Sequence, residues 1–191
     1  ARRLVQREIL WAHRTTDMTN RYATLQYGLK HRPGLWNWII RQIDPLVIQI
    51  IHYVKDKGHH EGPMNLLRTI HNAFRQACAN KPERIVVIAH SLGSVIAFDY
   101  LFGFRKYKLD PRVQVPGFIT MGSPIPLFIT AMGFVDSKLA KPDNVGDWIN
   151  VIDPDDGVAR FCAPYFKGFR VKDLEINTGF TPLGAHGGYW K

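Results

Sequence analysis

The spacing of apolar positions changes twice near the middle of the chain. Over residues 64–80 the apolar side chains fall on one stripe of a helix, which is typical of an amphipathic helix that packs on a core. Residues 84–89 form a short apolar run rich in β-branched side chains, which predicts a buried strand. Helical spacing returns at once and predicts a helix over about 92–102. Ser91 would then lie at the tip of a sharp turn from strand to helix.

Three later segments also have the pattern of strands, and each is followed by a loop. They are QVPGFITM (114–121) before Gly-Ser-Pro, DWINVI (147–152) before the acidic loop DPDDGVA, and FRVKDLEIN (169–177) before the glycine-rich loop TGFTPLGAHGGYW. Helices or long crossings separate the strands, and strands connected in this way pair in parallel. We therefore predict an α/β fold with a mostly parallel sheet that is covered on both faces.

The chain before these strands is less informative. Residues 44–58 predict a helix that begins after the capping residue Asp44, but residues 1–43 are poorly defined. With 191 residues, the chain is long enough for one α/β domain with a sizeable core and short for two. We predict a single domain over residues 1–191.

Composition and charge narrow the class of protein. A chain that is 46% hydrophobic and 21% charged is globular rather than disordered. The formal net charge of +9 favours anionic surfaces, either phospholipid or nucleic acid. Because the sequence contains no recognised nucleic-acid-binding module, we expect no nucleic acid partner, whereas an anionic membrane surface stays open.

No targeting or membrane segment is visible in the sequence. The most apolar stretch, 35–54, is interrupted by Arg41, Asp44 and Pro45, so it does not read as a membrane span. These features favour a cytoplasmic or peripheral membrane protein and leave the compartment open. The sequence starts at Ala1 rather than Met and stops on GYWK, so we expect that both ends are trimmed from a longer protein.

Metal binding has little support in the sequence. The only local cluster of ligand-type residues, His59, His60 and Glu61, lacks the i, i+4 spacing that places two ligands on one helix face. The cysteines, Cys78 and Cys162, are far apart and form no Cys-x-x-Cys motif. We therefore expect no metal site.

The residues around Ser91 have the pattern of a nucleophile elbow. In Ala89-x-Ser91-x-Gly93 small residues flank the serine two positions away on each side, as a strained turn between strand and helix requires. The backbone N–H of Leu92, at the start of the helix, could then face a developing oxyanion. The alternative is a serine at an ordinary turn between a strand and a helix.

A serine nucleophile needs a base, and the base needs an acid that orients it. In this type of sheet they follow the serine in the order acid, then histidine, from loops at the carboxyl ends of later strands. The loop after the third strand offers Asp153, Asp155 and Asp156, and the loop after the fourth holds His186, the only histidine beyond His90. We expect His186 to be the base and His90 to pack within the turn, with its side chain pointing away from that of Ser91.

Four segments, VVIAHSLGSVIAFDYL, FITMGSP, WINVIDPDDGV and AHGGYW, together resemble the α/β-hydrolase superfamily. More narrowly, they resemble bacterial serine esterase and lipase-like members with an Ala/Gly-His-Ser-Leu-Gly elbow. The resemblance covers residues 44–191 as a matched core. It implies a three-layer α/β/α sandwich, hydrolysis of a carboxylic ester through an acyl-serine, and no cofactor. It also favours Asp156 as the acid, because Asp156-Gly157-Val158 resembles the family's D-x-V position, with Asp153 as the alternative acid or a residue that holds the loop.

The chain departs from the family pattern before Ser91. The family has an upstream strand that ends in His-Gly, and the following loop supplies the second oxyanion N–H; the sequence before Ser91 contains no such strand. Either the hydrolase fold is truncated at its N-terminus or the oxyanion hole is damaged. Two functions therefore stay open: an esterase or lipase-type hydrolase of a small-molecule or lipid ester, and a catalytically impaired hydrolase-fold module that binds a lipid or protein partner.

Overall fold

The computed structural model describes most of the C-terminal part of the chain and four residues before it. The described residues are 72–74, 76, 84–102, 110, 112–131, 142–166, 168, 170–179 and 182–191. Residues 72–74 and 76 are helical, as the predicted helix over 64–80 requires. The predicted helix over 44–58, the cluster at residues 59–61 and Cys78 lie outside the described residues.

The chain divides into two compact units, Ala1–Asn80 and Lys81–Lys191. The second unit contains a four-stranded sheet in the order β1 (Arg84–His90), β2 (Gln114–Met121), β3 (Val145–Ile152) and β4 (Val171–Glu175). All three neighbouring pairs of strands are parallel. The predicted α/β class with a parallel sheet is confirmed, while the prediction of a single domain over the whole chain stays a prediction.

Three of the four strands are followed along the chain by a helix. Helix α1 (Leu92–Leu101) follows β1, α2 (Ile125–Ala131) follows β2, and α3 (Pro182–Ala185) follows β4. Two 3₁₀ turns, Ala163–Tyr165 and Gly188–Trp190, complete the described elements of this unit. In the described part of the chain, no helix is long and apolar enough to cross a membrane.

The segment over residues 178–190, which we predicted as a loop, contains both α3 and the second 3₁₀ turn. Pro182 occupies the first position of α3, where its fixed φ suits a helix and its missing N–H costs no hydrogen bond. The sequence did not predict these helical elements, because they have only four and three residues and lie in a glycine-rich segment. Helical spacing of apolar residues can be recognised only over a longer stretch.

Aromatic side chains form the core between the sheet and α1. Trp148 on β3 is 1% exposed and lies against Phe98 of α1, Phe118 of β2 and Phe166, at ring-centroid distances of 5.4, 5.1 and 4.8 Å. Phe118 and Trp148 are direct partners in the parallel register, so the two rings lie on one face of the sheet. Helix α1 is predominantly apolar and is buried over nearly its whole length, including its polar residues Ser94 and Asp99.

A chain of hydrogen bonds crosses the same face of the sheet. Trp148 Nε1 donates to Thr120 Oγ1 at 2.9 Å, Thr120 Oγ1 donates to Asn150 Oδ1 at 2.7 Å, and Asn150 Nδ2 donates to Asp173 Oδ1 at 2.7 Å. The Asp173 carboxylate also accepts the backbone N–H groups of Cys162 and Ala163, at 2.9 and 2.8 Å. Thr120 and Asn150 are fully buried, and each has hydrogen-bond partners in this network, which joins β2, β3 and β4.

The opposite face of β1 is more open. Val86 and Ile88 alternate with the buried residues Val87 and Ala89, and they are 58% and 54% exposed. This exposure concerns β1 only, since Val115 of β2 and Val145 of β3 are buried on the same face of the sheet. The predicted cover on both faces, like the three-layer sandwich, stays a prediction.

Candidate active site

The turn between β1 and α1 holds Ser91 in a strained backbone conformation. Ser91 has φ 54° and ψ −133°, and among the described residues it is the only non-glycine residue with positive φ. Such a conformation costs about 1–3 kcal/mol and persists only where the surroundings determine it. Here the Ser91 N–H donates to Met121 O at 2.9 Å, and the Ser94 N–H and Oγ–H donate to Ser91 O at 2.9 and 2.5 Å.

The structure brings the Ser91 hydroxyl, the His186 imidazole and the Asp156 carboxylate into one line. His186 Nε2 lies 2.7 Å from Ser91 Oγ, and His186 Nδ1 lies 2.9 and 3.1 Å from the two carboxylate oxygens of Asp156. With the proton of the neutral imidazole on Nδ1, that N–H donates to the carboxylate and Nε2 accepts the serine O–H. This is the tautomer that leaves Nε2 free to act as a base toward the hydroxyl.

Asp156 is the carboxylate that pairs with His186, and it is only 3% exposed. Burial opposes its ionisation, but the hydrogen bond and charge of His186, the Val158 N–H at 2.8 Å and the Tyr189 O–H at 2.9 Å outweigh burial and lower the pKa of the carboxyl. The carboxylate is therefore ionised through the neutral range, as an orienting acid must be.

Asp153, the alternative acid, makes different contacts. Its carboxylate accepts the Thr178 N–H and Oγ1–H at 2.8 and 2.7 Å and the Asp155 N–H at 2.9 Å. The two hydrogen bonds from Thr178, followed by the one from Asp155, lower the pKa of Asp153 against the effect of burial. Asp153 thus ties the loop after β3 to the segment after β4, which is the loop-holding role considered beside the role of acid.

The phenol of Tyr189, which no pattern in the sequence indicates, joins the two aspartates. Its oxygen accepts the backbone N–H of Asp153 at 2.9 Å, and its O–H donates to Oδ2 of Asp156 at 2.9 Å. Tyr189 lies in the 3₁₀ turn Gly188–Trp190, three residues after His186. No spacing rule marks a tyrosine at this place, because the contact depends on how the segment after β4 folds back onto the loop after β3.

His90 contacts the backbone of His186, which the prediction of packing within the turn did not include. Its Nε2–H donates to the carbonyl oxygen of His186 at 2.7 Å, and the two rings have centroids 4.8 Å apart. Burial, followed by the proximity of His186, lowers the pKa of His90. A neutral His90 therefore holds the backbone of the predicted base from the residue next to the predicted nucleophile.

Gly122, in the Gly-Ser-Pro loop, lies directly against the acid and the base. It has φ 57°, and a Cβ atom there would lie 2.9 Å from Asp156 Oδ2, 2.9 Å from Tyr189 Cε2 and 3.2 Å from His186 Nδ1. Only glycine meets both the backbone conformation and the space. The sequence shows a glycine before Ser-Pro. It does not show that this glycine lies against the loop after β3 and the segment after β4.

Leu92 begins α1, so its N–H belongs to the first turn of the helix, where amides have no acceptor within the helix. Its role as an oxyanion donor stays a prediction. Of the residues before β1, where the family would have its second donor, only 72–74 and 76 are described. Within the described part of the chain, no group of three or more His, Cys, Asp or Glu side chains could hold a metal ion. The described cysteine, Cys162, is a buried free thiol.

The arrangement as a whole supports one kind of chemistry. A hydroxyl on a strained turn, an imidazole that can accept its proton and a buried ionised carboxylate behind the imidazole are the parts of a nucleophile activated for acyl transfer. The three side chains come from the turn after β1, the loop after β3 and the segment after β4, which meet at the carboxyl ends of the parallel strands. In comparisons with known proteins, no family model, no curated protein and no solved structure matches the chain.

Proposed function

We propose that the protein is a serine hydrolase that cleaves a carboxylic ester through an acyl-serine intermediate. The observation that carries the proposal is the continuous hydrogen-bonded line from Ser91 Oγ through His186 to Asp156, with spacings of 2.7 and 2.9 Å. The α/β-hydrolase fold with its three-layer sandwich is part of the proposal, and the parallel sheet, the strained turn and the buried helix α1 support it.

In the first half of the reaction, Ser91 Oγ attacks the carbonyl carbon of the ester. The hydroxyl proton passes to Nε2 of His186 as the new C–O bond forms, and the ionised Asp156 stabilises the resulting imidazolium. The carbonyl oxygen takes up negative charge and faces the N–H of Leu92. A single donor of this kind contributes about 10²–10³ in rate.

In the second half, the tetrahedral intermediate collapses and the protonated His186 gives its proton to the leaving alcohol. A water molecule then loses a proton to His186 as it attacks the acyl carbon, and collapse returns the proton to Ser91 Oγ and releases the carboxylic acid. Because only the neutral imidazole accepts a proton, this mechanism implies that the reaction slows on the acid side of neutrality.

The surroundings of the site favour an apolar ester, either a small molecule or a lipid. Trp190 is 64% exposed, and its ring lies 6.2 Å from that of His90, on the segment that carries His186. An exposed aromatic side chain on the segment that carries the base can contact an acyl or alcohol chain.

The experiment that tests the proposal is covalent labelling of the whole chain with a fluorophosphonate. We expect the wild-type chain to form a stoichiometric adduct that peptide mapping places on Ser91, and Ser91→Ala to abolish labelling, because only an activated hydroxyl attacks the phosphorus. Asp156→Asn should slow labelling by about 10⁴-fold, the loss seen when the orienting carboxylate of such a triad is neutralised.

Asp155→Asn is the matched control, since it neutralises an exposed aspartate of the same loop. It should label at a rate near that of the wild type. A folded wild-type chain that takes up no label and cleaves no ester in a short-chain panel would refute the hydrolase proposal. That result would favour the alternative, a hydrolase-fold module that binds a lipid or protein partner without catalysis.

A further inference from the structure

We propose that Tyr189 is a positioning residue that fixes the Asp156 carboxylate for its contact with His186, an inference that rests on the proposed hydrolase function. The phenol O–H donates to Oδ2 of Asp156 at 2.9 Å, the same oxygen that His186 Nδ1 approaches at 2.9 Å. The other oxygen, Oδ1, accepts the Val158 N–H at 2.8 Å. With one donor on each oxygen besides His186, the carboxylate cannot rotate without losing a hydrogen bond.

The phenol is itself held in place from the other side. Its oxygen accepts the backbone N–H of Asp153 at 2.9 Å, so the O–H bond is directed at Asp156. The ring also lies against Gly122, where a Cβ would come within 2.9 Å of Tyr189 Cε2. The position of the hydroxyl is therefore determined by three contacts with three different residues.

The protonation of the phenol suits this role. Burial, with the charges of Asp156 and Asp153, raises the pKa of Tyr189 well above its ordinary value. The hydroxyl therefore stays a donor across the whole range in which a histidine base works. A donor that never loses its proton holds the carboxylate equally well before and after His186 takes up the proton of the serine.

The position of Tyr189 in the chain adds a second consequence. His186 and Tyr189 belong to one short segment after β4, so the segment that supplies the base also supplies a hydrogen bond to the acid. Any movement of the segment shifts both contacts together. Tyr189 thus sets the spacing between the acid and the base, although its hydroxyl is directed at the acid and not at the reacting oxygen.

The test compares the kinetics of fluorophosphonate labelling for the wild type and Tyr189→Phe. We expect the maximal labelling rate of Tyr189→Phe to fall about tenfold, the size of a lost hydrogen bond to a charged group, while the concentration of probe at half saturation is unchanged. The acid limb of the pH profile should move to higher pH, because a carboxylate with one donor fewer favours the protonated imidazole more strongly. Tyr165→Phe, which makes the same change at a half-exposed tyrosine, should label like the wild type.

A double-mutant cycle separates positioning from a structural effect. In an Asp156→Asn background the added Tyr189→Phe change should alter the rate less than about twofold, since the hydroxyl acts through the carboxylate. If Tyr189→Phe does not fold, 4-aminophenylalanine and 4-methylphenylalanine at position 189 replace it, because they match in size and only the first keeps a donor. The 4-amino residue should label at least several times faster than the 4-methyl residue.

Three results would overturn the inference. The first is a pH profile and maximal rate for Tyr189→Phe equal to those of the wild type. The second is an equal loss in both backgrounds of the cycle, and the third is equal labelling by the 4-amino and 4-methyl chains. A wild-type chain that does not label at all is a different outcome, because it removes the hydrolase proposal and takes this inference with it.

Discussion

At the scale of single residues, the site depends on groups whose positions are fixed by burial, by backbone conformation or by close contact. The Asp156 carboxylate is buried, the Ser91 backbone is held at positive φ, and Gly122 leaves no room for a methyl group beside the acid and the base. Hydrogen-bond geometry of this kind tolerates little displacement, because a shift of about 1 Å in a reacting group can lower the rate by about 10². Small changes at these positions should therefore have large effects on the chemistry.

Gly122→Ala tests this directly. The added Cβ would lie 2.9 Å from Asp156 Oδ2 and 3.2 Å from His186 Nδ1, in a backbone conformation with φ 57° that alanine adopts with strain. We expect fluorophosphonate labelling to fall by at least about tenfold, since the acid and the base must move apart. The same substitution at Gly157, where a Cβ would have no atom within 4 Å, should change labelling little. Equal labelling by the two variants would show that the close approach at Gly122 is unimportant for the chemistry.

At the scale of elements, the loops after β3 and β4 are joined by the contact between Asp153 and Thr178. The hydrogen bonds from Thr178 lower the pKa of Asp153 in the folded chain. A carboxyl whose pKa is lower in the folded state contributes stability above its ordinary pKa of about 3.9 and loses that contribution as the pH falls through its folded value. Acid should therefore loosen the junction that positions the segment carrying His186.

Asp153→Asn should lower the free energy of unfolding at neutral pH by about 1 kcal/mol or more, because the charged acceptor is lost. The decline of stability below about pH 4 should also be shallower than in the wild type. Urea unfolding followed by tryptophan fluorescence at several pH values measures both effects. Asp155→Asn, which neutralises an exposed carboxylate in the same loop, serves as the control. A parallel pH dependence in the wild type and Asp153→Asn would argue against this role of the junction.

At the scale of elements, the sequence predicts the features that depend on local patterns and misses those that depend on distant segments. The four strands, α1 and the order serine, aspartate, histidine follow from local patterns, since apolar spacing and turn residues act over a few positions. The choice between Asp153 and Asp156 rested on a family resemblance, and it is the fold of the segment after β4 that directs Thr178 to the first and Tyr189 to the second. The contacts of His90 and Gly122 were not predicted for the same reason, because their partners are far away in the sequence.

At the scale of the whole molecule, the aromatic core around Trp148 connects α1, two strands and the segment at Phe166. Trp148 also donates to the polar network that crosses the sheet. Trp148 therefore belongs both to the apolar core and to the polar network of the sheet.

Trp148→Ala should therefore lower the free energy of unfolding by about 3–5 kcal/mol, as expected for the loss of a buried aromatic side chain. Trp190→Ala removes a tryptophan that is 64% exposed and should cost less than about 1 kcal/mol. Denaturation followed by far-ultraviolet circular dichroism compares the two variants without relying on tryptophan emission. Similar losses in both would mean that the core is not centred on Trp148.

The line from Ser91 to His186 joins atoms from residues 95 positions apart, and the acid comes from a third place in between. Contacts of such long range are entropically costly to form, because each closes a long loop of the intervening chain. During synthesis or refolding, a chain in which the turn at Ser91 has already formed would therefore not react until the segment after β4 docks and supplies His186. If the protein is the hydrolase proposed here, a partly folded chain that lacks this docked segment would not attack neighbouring esters.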